Sequence, residues 1–387
     1  MEFSNRLQQL PTQFFASLVA RTSQAMSEGR DVINLGQGNP DQPTPAHIVQ
    51  AMQKAVADPK NHRYSPFRGI SEMRQAAVEF YKREYGVEID PDLEVALLAG
   101  TKVGLVELPL AFMNPGDLML LPDPGYPDYL SGAPLAGAEF ETMSLTAENG
   151  FLPDYNQVSE DVKKRTKLMY LNYPNNPTGA VATQQFFDET VKFAKENDIA
   201  VVHDFAYGAV GFDGVKPPSF LKSEGAKEVG VEMYTFSKTY NMAGWRIGFA
   251  VGHSKMIEAL NLIQDHLFAG LSPALQLAAT EALLGDQKCV DELVDLYEKR
   301  RDVLKRECER IGWKIDAPKG SFFAWLPVPS GFTSLEFVDL LLEKADISVA
   351  AGSGFGEGGE GYIRVGLLVD EARIVEAIQR VEKLKLF

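Results

Sequence analysis

Tyr234-Thr235-Phe236-Ser237-Lys238-Thr239-Tyr240-Asn241-Met242-Ala243-Gly244-Trp245-Arg246-Ile247-Gly248 sets a lysine just past an apolar, β-rich run, among small and hydroxyl-bearing residues. An ammonium is costly to bury, so a lysine at the end of a buried strand either reaches solvent or has its amine engaged. Taken alone, Lys238 favours the first reading. Arg246 and the hydroxyls of Thr235 and Ser237 change the balance, because a guanidinium and two hydroxyls beside an amine make a cradle for an anion. A ligand carrying both a phosphate and an aldehyde fits that set.

Outward from this stretch, residues from about 46 to 285 alternate short apolar runs with amphipathic helical segments. The runs are Val95–Leu98, Leu118–Leu121, Leu168–Leu171, Ile199–Val202, Met233–Phe236 and Ile247–Val251, an α/β rhythm. LMYLN and IAVVHD are apolar on both faces, as in buried parallel strands covered by helices. Residues from about 273 to 311 read as helix with few breakers. Beyond them, GSFFAWLPV (320–328), DISVAAG (346–352) and GYIRVGLL (361–368) suggest a smaller α+β unit.

At 387 residues the chain exceeds the size at which one core stops growing, so two domains are expected. With 45% hydrophobic and 24% charged residues it has the composition of an ordinary globular protein. A formal charge of −15 opposes nucleic acid and anionic membrane surfaces, so any anionic ligand needs a local basic constellation. Cys289 and Cys308 show no metal-ligand spacing, which fits a reduced, cytoplasmic setting. The first residues lack the apolar core of a signal peptide, and no run approaches the roughly 18 apolar residues of a membrane span.

Other candidates lie where strands should end, the edge at which α/β folds collect ligands. Asn172-Tyr173-Pro174-Asn175-Asn176-Pro177-Thr178-Gly179 follows LMYL and reads first as a turn. Asp204 closes IAVVHD, with Tyr207 three residues on; it serves equally well as a helix cap or as a buried acid needing a partner. Ala99-Gly100-Thr101-Lys102-Val103-Gly104 leads from a strand into a helix, where N–H groups can hold a phosphate, although Lys102 is as easily a solvated side chain. Tyr126 stands in the turn Pro122-Asp123-Pro124-Gly125-Tyr126-Pro127, and Arg364 between apolar neighbours in GYIRVGL.

The run T-F-S-K-T-Y-N-M-A-G-W-R-I-G resembles the SxSKxxxxxGxRxG signature of the class I/II, aspartate-aminotransferase-like (fold type I) pyridoxal-phosphate enzymes, with threonine keeping the first hydroxyl. The resemblance implies that Lys238 holds pyridoxal 5'-phosphate covalently. It also implies that Gly100, Thr101, Lys102, Thr235, Ser237 and Arg246 surround the phosphate, and that Tyr126 stacks on the ring. Asp204 would pair with the ring nitrogen, while Asn176 and Tyr207 bond its phenolic oxygen. Tyr64, in H-R-Y-S-P, would reach the phosphate of a neighbouring subunit, giving a homodimer with shared sites. Arg364 and Asn176, with the Gly36 backbone of Leu35-Gly36-Gln37-Gly38-Asn39-Pro40-Asp41, would bind the substrate carboxylate.

The implied fold is α/β: a large domain (46–285) with a seven-stranded, mostly parallel sheet, and a small α+β domain from both termini (1–45 and 286–387). The implied reaction is transamination between a neutral amino acid (methionine, an aromatic residue or glutamine) and a 2-oxo acid, with no metal. Dicarboxylate-specific relatives place an arginine near the region matching Leu262–Ser272, and LIQDHLFAGLS contains neither arginine nor lysine. Phe14, Phe15, Tyr64 and Phe268 suggest apolar surroundings. As a whole the chain resembles bacterial transaminases that return 4-methylthio-2-oxobutanoate to methionine in methionine salvage. A C–S β-lyase on the same scaffold is the alternative, and a non-enzymatic ligand-sensing domain a more distant one.

Overall fold

The computed structural model describes residues 1–11 and 13–387. Twelve strands occur among them: β1 (Ile33–Asn34), β2 (Val95–Leu98), β3 (Leu118–Asp123), β4 (Glu139–Ser144), β5 (Thr166–Leu171), β6 (Ala200–Asp204), β7 (Gly230–Thr235), β8 (Gly248–Gly252), β9 (Phe323–Pro327), β10 (Ile347–Ser348), β11 (Ala350–Ala351) and β12 (Tyr362–Gly366). Seven form one sheet in the order β2-β8-β7-β6-β5-β3-β4. All its pairs are parallel except those of β8, which runs antiparallel to both β2 and β7. The expected seven-stranded, mostly parallel sheet is therefore present.

The doubly apolar runs are buried for the reason their composition suggested. One face of the sheet packs on the Ser71–Tyr85, Gln184–Asn197 and Pro273–Leu284 helices through Phe80, Phe187 and Ala278. The other packs on the Thr101–Phe112 and Ser254–Leu267 helices through Leu105, Leu108 and Leu260. β4 was not among the strand runs expected from sequence. At the sheet's margin it buries only Met143 and exposes Glu139 and Glu141, charges that protect an edge while erasing the apolar signature. The long helical stretch is also interrupted: Pro273–Leu284 ends before Gly285, and Lys288–Arg310 begins anew.

A further core joins residues from near the beginning of the chain, Ile33 and Leu35, to Leu293, Tyr297, Phe337, Ile363 and Ile374. Here β11, β12 and β9 form an antiparallel sheet, and β1 pairs in parallel with β10. Tyr207 belongs to this core although it follows β6 of the large sheet, so the two units meet beside Asp204.

Direction within the large sheet assembles the site. The parallel strands β3, β5, β6 and β7, with β2 running the same way, all end at one edge. The antiparallel β8 starts there, which brings Arg246, just before it, to residues that follow the other strands.

Behind this edge lies a fully buried polar knot. Glu232 of β7 accepts hydrogen bonds from the Tyr81 hydroxyl (2.9 Å), the Ser219 hydroxyl (2.7 Å) and the Phe220 N–H (2.8 Å), and lies 2.7 Å from His203 Nδ1. The other ring nitrogen of His203 sits 3.3 Å from the Tyr173 nitrogen and 3.1 Å from its carbonyl oxygen, bracing the turn after β5. A buried acid with this many partners is costly to remove because each is left unpaired. Glu232→Ala should cost about 3 kcal/mol, seen as a lower urea midpoint at unchanged slope; an unchanged midpoint would contradict this role.

Candidate active site

A cavity of about 540 Å³ opens at the strand edge, between the large sheet and β12. Thr101, Lys102, Tyr126, Asn176, Asp204 and Tyr207 line it, as do Thr235, Ser237, Lys238 and Arg246, and Gly36 and Arg364 enter from the other side. Lys238 lies in the short helix Phe236–Thr239 directly after β7, whose first turn is capped by the Thr235 hydroxyl accepting from the Ser237 N–H. That cap turns the chain so that the lysine amine enters the cavity, where it donates to the Gly38 carbonyl at 2.8 Å. Burial, then the charges of Arg364 and Arg246, lower its pKa to about 8 against the opposing pull of Asp204.

Thr235, Ser237 and Arg246, the residues expected to cradle an anion, line the same cavity. Among the described residues no side chain caps the Thr101–Phe112 helix, whose first residues, Thr101 and Lys102, line the cavity, so its first N–H groups are left for a ligand. Gly100 has φ +85°, and a β-carbon there would run into the Arg246 guanidinium, so the glycine lets the arginine lie against the turn. Arg246 itself has φ +56° and donates to the Ala243 carbonyl at 2.8 Å. The hydroxyls of Thr235 and Ser237 are 3.0 Å apart. Lys102 is half-exposed and paired with Asp128 at 2.9 Å, so its charge is already answered.

Asp204 is buried, and one oxygen accepts from the Tyr129 hydroxyl at 2.8 Å. The other has no hydrogen-bond partner among the described residues, and burial raises the carboxyl's pKa. An oxygen left this way calls for a proton-bearing partner in the cavity, which a protonated ring nitrogen supplies. Together with the cradle and the amine, it makes the site fit pyridoxal phosphate.

Arg364 is 1% exposed, and no carboxylate pairs with it among the described residues. It donates to Asn176 Oδ1 at 2.8 Å and to the Gly36 carbonyl at 3.0 Å, while Nε has no partner among the described residues. Phe323, Phe15 and Phe355 surround it, with ring centroids 3.9, 5.1 and 4.8 Å from Cζ. A buried cation held only by neutral acceptors can take a carboxylate.

Some residues of the site gave no sequence signal of their role. Tyr129 stands one helical turn from Tyr126, a spacing that could have marked it. Asn172 bridges the Asp204 carbonyl (2.7 Å) and the Asn176 N–H (2.7 Å), and so fixes the Asn176 turn to β6. Of the expected aromatic surroundings, Phe15 lines the cavity; Phe14 packs behind it at 5.3 Å. Phe268 does not line it, and Tyr64, 89% exposed, lies outside it in this chain.

The family described as aminotransferase class I and II matches residues 30–381. The sequence is 63% identical over 386 residues to the L-glutamine--4-(methylsulfanyl)-2-oxobutanoate aminotransferase of Bacillus subtilis (strain 168), spanning 100% of this chain and 97% of that one. It is 44% identical to the LL-diaminopimelate aminotransferase of Halothermothrix orenii, over 99% of this chain and 98% of that one. Among solved structures, substrate-bound BacF from Bacillus subtilis matches with a TM-score of 0.97 at 48% identity, covering 100% of this chain and 99% of that one.

Acylation of Lys238 in the cofactor-free protein, followed by mass spectrometry across pH, should show half-maximal rate at about pH 8. Arg364→Gln removes a neighbouring positive charge and should move that midpoint up; Asp204→Asn removes a negative one and should move it down. A midpoint at the ordinary lysine value, roughly 10.4, would refute the buried environment.

Proposed function

Because the chain belongs to the class I and II aminotransferases, a pyridoxal-phosphate-dependent family, we propose that it transfers an amino group between glutamine or another neutral donor and 4-methylthio-2-oxobutanoate, forming methionine. The observation that carries the substrate class is Arg364, a buried guanidinium with no carboxylate partner among the described residues, in a cavity to which Phe15, Leu18 and Tyr126 add apolar surface. One carboxylate is thus provided for. A second is not, since 262–272 holds no lysine or arginine. The 63% identical relative, named for glutamine and the methylthio oxo acid, supports this choice.

When bound, pyridoxal phosphate supplies an aldehyde that takes up the amino group and a ring that accepts the electrons of the Cα–H bond. The residues of the chain then have distinct tasks. Lys238, its amine's pKa lowered chiefly by burial, would take the proton from Cα and return it to the former aldehyde carbon, two bonds away across the nitrogen. Asp204 would hold a protonated ring nitrogen with the oxygen that has no partner among the described residues, and Tyr129 keeps that carboxylate in place. Arg246, Ser237, Thr235 and the Gly100-Thr101-Lys102 turn bind the phosphate. Tyr126, Asn176 and Tyr207, which line the cavity, would hold the ring, Tyr126 by stacking and the other two by hydrogen bonds to the phenolic oxygen. Arg364 takes the α-carboxylate with its planar fork, beside the Gly36 backbone and Asn176.

Residues 46–285 act in this reading as the cofactor-binding domain and 1–45 with 286–387 as the small domain, a division supported by their separate cores. The active unit is a cytoplasmic homodimer, in which Tyr64 reaches the partner's phosphate site. Supporting the dimer, Tyr64, Phe67, Leu262 and Leu267 are all exposed, and Gly270 brings the loop after the Leu262 helix against Ser65 and Pro66.

The enzyme should form methionine from glutamine and 4-methylthio-2-oxobutanoate, and should act at least 10-fold less well on aspartate. Release of pyruvate and ammonia from cystathionine without amino transfer would contradict the proposal. Arg364→Ala should lower kcat/KM by about 100-fold, the worth of a charge-assisted pair. As a test of the shared site, inactive Lys238→Ala and weakened Tyr64→Ala proteins, mixed and allowed to exchange subunits, should recover activity above either alone; no recovery would count against the Tyr64 role.

A further inference from the structure

The Leu35–Asp41 segment crosses the cavity with two of its carbonyls on the two buried cations: Gly36 on Arg364 and Gly38 on Lys238. Its upstream end is fixed by the backbone, through Leu35 N–H to the Ser348 carbonyl (2.8 Å) and Gly366 N–H to the Leu35 carbonyl (2.6 Å). The Gly36 N–H donates to Asn34 Oδ1 at 3.1 Å, and beyond it the middle has little of its own to hold it. Gly36 and Gly38 carry no side chains, and Gln37 donates a single long bond, 3.4 Å, to the Leu368 carbonyl. Neither glycine tolerates more bulk easily: a β-carbon would stand 3.0 Å from Leu18 Cδ2 at Gly36 and 3.3 Å from Phe323 Cζ at Gly38. Such a backbone is free to move unless something beyond it fixes its far end.

That far end is Asp41. Its two oxygens accept from Arg300 Nη1 (3.0 Å) and Nη2 (2.8 Å), a two-pronged pair in which the Arg300 side chain is 4% exposed and that of Asp41 18%. Arg300 Nη1 also donates to the Leu367 carbonyl at 3.0 Å, one residue past the end of β12, the strand that carries Arg364. Neither Asp41 nor Arg300 lines the cavity. A buried ion pair of this kind adds little net stability over apolar residues of the same size, but its planar fork fixes direction. The charges remain in place because Arg300 more than offsets the burial that would raise the Asp41 carboxyl's pKa.

We propose that Asp41 and Arg300 are a positioning pair for the substrate carboxylate: Arg300 ties the far end of the Gly36–Asp41 segment to the end of β12, which sets the Gly36 and Gly38 carbonyls against Arg364 and Lys238. The pair acts through the segment and touches no substrate. The proposal rests on the reading of Arg364 as the carboxylate site.

Asp41→Asn and Arg300→Lys keep the volume of each side chain and weaken the fork, so at least one folded variant is expected. In both, amide exchange at residues 36–41 should quicken about 10-fold, with the exchange of β5, β6 and β7 unchanged. The KM for amino acid and oxo acid should rise about 10-fold while kcat changes less than about 3-fold. The Kd of 4-(methylthio)butanoate, a carboxylate that cannot transfer an amino group, should rise with KM. The double variant should be no worse than the more affected single one, because the two residues act as one unit. Unchanged exchange at 36–41, an unchanged Kd, or faster exchange throughout the protein would overturn the proposal. If the wild-type enzyme fails to transfer amino groups, the functional reading falls, yet the exchange rates and the carboxylate Kd still decide the role of the pair.

Discussion

Among the described residues, Lys238, Arg246 and Arg364 line one cavity without a salt-bridge partner, its fourth cation, Lys102, is paired with Asp128, and the one buried carboxylate in its lining is Asp204. This imbalance is the constraint on which the rest of the site depends. A folded protein rarely gathers like charges around one cavity, one of them, Arg364, fully buried, without a ligand of opposite sign to gain from it. Their separation within the cavity gives each a different assignment: Arg246 lies with the hydroxyls and the helix N-terminus, Arg364 lies among aromatic rings, and Lys238 stands between them with a pKa lowered to about 8. One dianion, one substrate carboxylate and one reactive amine account for the set.

The sheet makes this placement possible. Parallel strands end in register at one edge, and the single antiparallel strand β8 delivers Arg246 to that edge from the opposite direction. Behind it, Glu232 and His203 bind the Asn172–Gly179 turn to the sheet from the far side, so that Asn176 meets Arg364 from a fixed base. The second core's side of the cavity carries Gly36 and Arg364, and Tyr207, three residues after Asp204, packs in that core.

Much of this was legible in the sequence because the chemistry demands local patterns. Lys238, the Thr235 and Ser237 hydroxyls and Arg246 lie within a single strand-turn segment, and the Asn176 turn and Asp204 each close an apolar run. What the sequence withheld depends on distant pairing or on exposure. Tyr129 becomes meaningful only when β3 and β6 bring it to Asp204, 75 residues away. Asp41 and Arg300, 259 residues apart, give no local sign of each other. The edge strand β4 is polar because it is exposed, and the break near Gly285 falls between two segments that each have helical periodicity. Lys102 shows the opposite case, a residue in a recognisable phosphate turn whose charge the fold commits instead to Asp128.

The most direct test of the account is the chemical identity of the residue that holds the cofactor. The protein is incubated with pyridoxal phosphate, reduced with borohydride and digested, and the modified peptide is sequenced by mass spectrometry. The account predicts the cofactor's mass on Lys238 alone, with the label lost in Lys238→Ala. Stoichiometric labelling at another lysine, or retention of the label in that variant, would contradict it.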